Sequence, residues 1–449
     1  MRFIIEANEL MLNCALSDPQ WCVIDTRSSD AYIGWTRPGE VRGGHLLNSV
    51  LFSAAWLDPV WKTYSNAVDA QLEQQMTLQG ITPEKNIILY DENGQDADVV
   101  FRYLESKGFR KLFYFNLNQW TGDLVSYPKY WLLAPVWWVK ALVDGECPPH
   151  YDGKGFKIFE VAWKKPSDRY LASHIPGAVH IDSNEFEVPP EWVKPSDQEL
   201  IRFALNNGIT PDTTVVVYGN DEILAAAKLS AVLRYLGVKN VFCMNGTLRN
   251  WEAAGYPTES GCPEKGPCTD TDVVFPIDRS HILNIQEAKA ILSHPALGTL
   301  VDTRRWKNFI GEDSGYDYVP LAGRIPGARW CGFLSVGSYS GPDGTMSNAD
   351  ILLRAWERAG LPVRRKMAFF CGSASWGAAV VKLYGNIAGF DAATIYEGGW
   401  CEWQCDPNNP YETGIPEEWK DFDPSSIPAE LGKSGGSCHS MLESGVTLI

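Results

Sequence analysis

The chain has 449 residues, too many for one ordinary hydrophobic core, so two or three domains are expected. Hydrophobic residues make up 45% and charged residues 21%, the mix of a globular protein in water. A formal charge of −16 argues against binding to nucleic acid or to an anionic membrane surface.

The N-terminus, Met1-Arg2-Phe3-Ile4-Ile5-Glu6, lacks the basic and long apolar regions of a secretion signal. Its apolar run Phe3-Ile4-Ile5 precedes a helical pattern at Glu9-Leu10-Met11. A strand with an acidic residue follows, Val23-Ile24-Asp25-Thr26-Arg27, and then a turn, Gly44-His45-Leu46-Leu47. Residues 87–90 form a further strand that ends at Asp91, and Trp120 stands before a loop. The stretch Val125-Ser126-Tyr127-Pro128-Lys129 reads as a join.

The series then repeats. Leu132-Leu133 precedes a helical pattern over 137–142, within an apolar stretch that Pro135 and Lys140 keep from spanning a membrane. The strand Ile158-Phe159-Glu160-Val161 leads to the turn Ser173-His174-Ile175-Pro176-Gly177-Ala178. Residues 215–218 end at Gly219, and Trp251 precedes a join over 257–271 that contains Pro263, Gly266 and Pro267. A third series runs through Ile282-Leu283, a helical pattern over 286–292, Leu300-Val301-Asp302-Thr303-Arg304 and Gly323-Arg324-Ile325-Pro326-Gly327-Ala328. It ends with Met367-Ala368-Phe369-Phe370, Cys371 and Trp403. From His45, His174 and Arg324 to Asp91, Gly219 and Cys371 the separations are 46, 45 and 47 residues, a spacing that chance does not hold three times. Strands alternating with helices imply an α/β chain of three tandem domains, each on a mostly parallel sheet covered on both faces. The expected boundaries are 1–127, 128–272 and 273–425, with a Ser- and Gly-rich tail over 426–449 whose Cys438-His439 pair reads as incidental.

Cys371 opens a run of small residues, Gly372-Ser373-Ala374-Ser375, then Trp376-Gly377, before an amphipathic segment. Strand, tight loop and helix place a thiol in a cup of backbone N–H groups, which favours the thiolate. The other copies have Asp91 and Gly219 at this position, so only the third can use a thiol. Eleven cysteines, an odd number without paired spacing, point to a reducing compartment and a cytoplasmic protein. Cys401 with Cys405, and Cys262 with Cys268, lack the second pair or His partner of a zinc site, so no metal or other cofactor is expected.

Together, the strand with Asp-x-Arg, the turn His-Ile-Pro-Gly-Ala and the Cys-headed loop before a helix resemble rhodanese domains. The third copy, with Gly341-Pro342-Asp343-Gly344-Thr345-Met346 and the stretch from Tyr396 to Trp403, is most similar to bacterial sulfurtransferases built from three such modules. The resemblance implies a five-stranded parallel sheet in each domain. It implies a persulfide on Cys371, loaded from thiosulfate or 3-mercaptopyruvate and passed to cyanide or a thiol acceptor such as thioredoxin or a sulfur-accepting protein. Gly372, Ala374, Ser375, Trp376 and Gly377 would line the substrate. Ser373, His174 and Asp168 would relay a proton, and Arg304 and Arg324, with Arg305 beside them, would supply the cation that the loop lacks, unless Arg304 instead ties the sheet to a neighbouring loop, as a charge at a strand end usually finds a partner. Two departures stand out. Ala374 replaces a glycine, which costs more if positive φ is required there, and Trp376 stands where Arg is common. A non-catalytic scaffold or sulfur-relay adaptor is the alternative. A phosphatase or arsenate reductase would need an Arg closing the loop, and Trp376-Gly377-Ala378 stands there instead.

Overall fold

A computed structural model describes residues 5–269, 272–332, 339–362 and 365–423; the tail with its Cys438-His439 pair lies outside this range. The first sheet comprises β1 (Ile5–Glu6), β2 (Trp21–Asp25), β3 (Val50–Leu51), β4 (Asn86–Asp91) and β5 (Leu112–Asn116), in the order β1-β5-β4-β2-β3. The second comprises β6 (Leu133–Ala134), β7 (Phe156–Ala162), β8 (Val179–Asp182), β9 (Thr214–Tyr218) and β10 (Asn240–Met244), in the order β6-β10-β9-β7-β8. The third comprises β11 (Ile282–Leu283), β12 (Thr299–Asp302), β13 (Arg329–Trp330), β14 (Met367–Phe370) and β15 (Ala393–Tyr396), in the order β11-β15-β14-β12-β13. The three orders are one topology written three times, and the pairings within each sheet are parallel.

The central strands β9 and β14 are buried along their whole length, so they read as unbroken apolar runs rather than as alternation. Burying a side chain such as Phe370 contributes about 1.5–3 kcal/mol. Each central strand is followed by a helix: α1 (Gln95–Ser106), α2 (Leu224–Tyr235) and α3 (Trp376–Ile387). All of α3 is buried, and α2 nearly so, because these two helices pack on one another between the second and third copies. A short helix, α4 (Gly399–Cys405), follows β15.

The turn residues His45, His174 and Arg324 share one structural role. Each exchanges backbone hydrogen bonds with the returning chain of its own copy, at Val125, Glu259 and Glu412 respectively. His45 stacks on Tyr32 and His174 on Tyr170, with ring centroids 3.9 and 4.4 Å apart, while the Arg324 guanidinium lies 5.2 Å from the Phe309 ring. The repeated tryptophans tie down the same returning segments, through indole bonds to the carbonyls of Asp123 (Trp120), Pro257 (Trp251) and Pro410 (Trp403).

Compactness does not follow the copies one for one. One unit holds the first copy together with residues 339–352, and the other holds the second copy with the rest of the third. In the first unit, Gln75 donates to the Ser340 carbonyl and accepts from Ser347, and the Ala349 amide donates to the Tyr127 hydroxyl. Gly341 lies flat against Trp56, where a Cβ would sit 2.2 Å from the indole nitrogen. Among the described residues no helix is long and apolar enough to cross a membrane.

Candidate active site

Cys371 lies at the carboxyl end of β14, between sheet and α3, where parallel α/β sheets place their ligand crevices. It is 6% exposed, and its thiol donates to the Ser373 carbonyl at 3.5 Å. Gly372 is required by packing, because a Cβ there would meet the Tyr316 ring at 1.8 Å. Ala374 and Ser375 have φ of 55° and 54°, so two non-glycine residues in succession are left-handed. The expected cost of the missing glycine is therefore real, about 1–2 kcal/mol for each residue.

Specific ties hold this shape. Ser375 Oγ donates to the Tyr396 carbonyl at 2.7 Å. From α4, the Trp400 and Cys401 amides donate to the Cys371 and Gly372 carbonyls at 3.0 and 2.7 Å. Gly399 makes that approach possible, since its φ is +56° and a Cβ would lie 2.4 Å from the Cys371 oxygen. The Trp376 indole donates to Glu187 of the second copy. Gly377 is buried in the first turn of α3. Ser373 is wholly buried and shares a 2.7 Å hydrogen bond with the Tyr318 hydroxyl, whose residue is 40% exposed. Tyr318 thus links the residue two places after Cys371 to solvent. Sequence reasoning missed it, because its segment carries no periodicity and no counterpart in the other copies.

The first two copies test what this loop binds. In copy one the Asp91 carboxylate fills its own cup: it accepts the amides of Asn93, Gly94 and Ala97 and the Tyr114 hydroxyl at 2.5–3.1 Å. In copy one the loop is an anion nest. In copy two it closes on itself, since a Cβ on Gly219 would lie 1.9 Å from the Glu222 carbonyl oxygen. A cysteine does not fit there.

Other expected residues lie on other segments. His174 is fully buried in the second copy, with Nδ1 on the Tyr170 carbonyl at 2.9 Å and Nε2 unpartnered among the described residues. Its ring stacks on Tyr170 in the packing of the second copy. Asp168 is exposed in the first turn of the short helix Asp168–Ala172, the usual place for an acid near a helix dipole. Arg324 donates to Glu412 Oε2 at 3.0 Å and to the Gly414 carbonyl at 2.6 Å, so it staples the returning chain of its own copy. Arg305 is exposed at the position just before the short helix Trp306–Ile310 and makes no side-chain bond to that helix's first amides.

Arg304 is tied along one edge of its guanidinium. Its Nε and Nη2 hold Asp302, and Nη2 also donates to the Gly323 carbonyl at 2.8 Å. This is how Arg27 ties Asp25 to Gly44. In copy one, Arg27 Nη1 lies 3.8 Å from Glu92, the residue after Asp91. In copy three the residue after Cys371 is glycine, and Arg304 Nη1 is buried without a hydrogen-bond partner among the described residues.

Comparison with known proteins places this geometry. The sequence model of the rhodanese-like domain matches residues 6–121, 149–254 and 284–406. The thiosulfate sulfurtransferase YnjE of Escherichia coli strain K12 is 34% identical over 398 residues, covering 87% of this chain and 88% of the relative. A probable 3-mercaptopyruvate sulfurtransferase of Pseudomonas aeruginosa is 31% identical over 259 residues, 55% of this chain and 86% of its own. Among solved structures, an anaerobic ergothioneine biosynthesis enzyme of Chlorobium limicola in complex with trimethyl histidine superposes with a TM-score of 0.83 at 30% identity. It covers 92% of this chain and all of that one. A variant of EanB with a cysteine persulfide and ergothioneine superposes with a TM-score of 0.82, also at 30% identity and with the same coverage.

Proposed function

The chain belongs to the rhodanese-like family, and on that premise we propose that it is a single-site sulfurtransferase working through a persulfide on Cys371. The observation that carries the reading is the Asp91 nest. The same loop that holds a carboxylate in copy one presents a thiol in copy three. A loop suited to an anion favours the thiolate, and afterwards the negative outer sulfur of a persulfide.

The chemistry follows from the residues. With thiosulfate, the Cys371 thiolate attacks the outer sulfur, the S–S bond breaks and sulfite leaves with the electron pair. With 3-mercaptopyruvate, the thiolate attacks the substrate sulfur, the C–S bond breaks and the pyruvate enolate takes up a proton. Tyr318 and Ser373, hydrogen-bonded to one another, would supply that proton. Arg304 Nη1 takes the donor's anionic end. A thiol or cyanide then attacks the outer sulfur, leaves as persulfide or thiocyanate and restores the Cys371 thiolate. Thioredoxin or a sulfur-accepting protein would serve as the thiol.

One Arg suits a monocarboxylate better than a dianion, so 3-mercaptopyruvate is expected to show the higher kcat/KM, with measurable turnover of thiosulfate. Tyr318→Phe should lower kcat for mercaptopyruvate about tenfold or more, and the thiosulfate rate less, since sulfite needs no proton to leave. Equal losses with both donors would remove the proton role.

A second reading concerns the acceptor. Tyr316 covers Gly372 and the Tyr318 hydroxyl meets Ser373, so two aromatic residues stand beside the loop. Aromatic faces suit a quaternary ammonium ion, and the Chlorobium limicola enzyme binds trimethyl histidine. Sulfur transfer to trimethyl histidine, followed by mass spectrometry of the product, separates this acceptor from thiols and cyanide.

A further inference from the structure

Glu187 belongs to the second copy and takes no part in the sulfur chemistry above. Yet both of its carboxyl oxygens accept the Trp376 indole N–H, at 3.1 and 2.9 Å. Glu187 is wholly buried and Trp376 is 1% exposed. Trp376 is the first residue of α3, directly after the two left-handed residues of the Cys371 loop. The chain beyond Glu187 folds back through a bridge between Val188 and Val193 and makes two more contacts. The Lys194 amide donates to Glu397, the residue after β15, at 2.8 Å. The Cys401 thiol reaches the Pro190 carbonyl at 3.8 Å. Residues 187–194 of the second copy therefore touch all three pieces that frame Cys371: the start of α3, the end of β15 and α4.

The loop needs such a frame. Strained backbone of this kind persists only where its surroundings over-determine it. Ser375 is tied to Tyr396 on one side of the strained pair, and the indole–carboxyl bond is the tie on the helical side. The charges around Glu187 are arranged for it. Lys228 of α2 is wholly buried, its Nζ lacks a hydrogen-bond partner among the described residues, and its field acts on both Glu187 and Glu397, while Asp182 opposes it.

We propose that Glu187 is a positioning residue for Cys371: by holding Trp376 it fixes the left-handed loop, so the second copy sets the reactivity of a sulfur it cannot carry. This rests on Cys371 being the sulfur carrier, and the test separates the two claims. Glu187→Ala, Glu187→Gln, Trp376→Phe and the double variant Glu187→Ala/Trp376→Phe are made in the full chain. The pH midpoint of Cys371 alkylation and the kcat and KM for sulfur transfer are measured for each. Alkylation needs no sulfur chemistry. A wild type that alkylates at Cys371 but takes no sulfur refutes the sulfurtransferase reading, and the midpoint alone then judges the positioning role.

The expected result is an upward midpoint shift in Glu187→Ala and in Trp376→Phe. Each should lower kcat about tenfold or more with KM within about twofold, as a small misplacement of a reacting group does. The double variant should be no worse than either single one. Glu187→Gln, whose amide oxygen still accepts the indole, should recover most of the rate. If Glu187→Ala does not fold by circular dichroism, Trp376→Phe, which removes only the N–H donor and the second ring, carries the test. Single variants that leave kcat and the midpoint unchanged, additive losses in the double variant, or a Gln variant as impaired as the Ala variant would overturn the proposal.

Discussion

At the scale of single residues, the positions of the loop thiol, Ser373 and Arg304 were legible, and Tyr318 was not. Cys371 announced itself because small residues follow an apolar run, and the spacing from the turn placed it beside Asp91 and Gly219. His174 and Arg324 stand in the turn signature, which marks the place where the returning chain of each copy is stapled. Arg324→Ala should therefore cost about 2 kcal/mol of stability through its lost charged hydrogen bonds. Its KM for either donor should stay near wild type, as thermal melting and steady-state kinetics would reveal. Arg324→His should keep part of the stability, since His45 and His174 fill the same position on an aromatic ring. A KM raised tenfold in Arg324→Ala at unchanged stability would return the residue to the substrate site.

At the scale of elements, the strands were legible in outline because the central ones are buried on both faces and carry no polar interruption. The pattern over 367–370 matches β14, and those over 87–90 and 215–218 match β4 and β9 to within a residue. What periodicity could not reveal was the destination of residues 339–352, because packing onto the first unit is fixed by fit at single positions such as Gly341 against Trp56. Gly341→Ala should destabilise by about 1–3 kcal/mol through overpacking, measured by denaturant unfolding. The Cys371 loop gives the opposite case. Ala374 is left-handed without being glycine, so Ala374→Gly should raise stability by about 0.5–1 kcal/mol, with sulfur transfer retained. A destabilised glycine variant would mean that the methyl group's packing outweighs the strain.

For the whole molecule, charge and burial act in the same direction. Burial pushes the carboxyls of Asp96 and Asp343 up to about 6, and those of Glu187 and Glu402 up to about 7, with Lys228 pulling Glu187 the other way. Each such group keeps a proton in the folded chain where the unfolded chain has lost it, from about pH 4 upward. The folded state then binds more protons, so stability falls as pH rises through that window. His180, raised overall by Glu160 against the cost of its burial, loses its contribution in the same direction. His45, lowered by burial, works against it. Self-repulsion at a formal charge of −16 adds to the fall. Melting temperature should be higher near pH 5 than near pH 8, and Glu187→Gln should flatten the slope. A melting temperature that climbs from pH 5 to pH 8 would contradict this ledger of buried acids.

The central claim is that sulfur travels on Cys371 and on no other cysteine. Burial pushes the Cys22 thiol up to about 11 and those of Cys243 and Cys401 up to about 12, so they are poor nucleophiles near neutral pH. The direct measurement is peptide-resolved mass spectrometry of the chain after brief exposure to thiosulfate and, separately, to 3-mercaptopyruvate. The account predicts one added sulfur on the peptide containing Cys371, lost on addition of cyanide or a thiol. It predicts no added sulfur in Cys371→Ser and full loading in Cys401→Ser. No added sulfur in the wild type, or sulfur retained in Cys371→Ser, would contradict it.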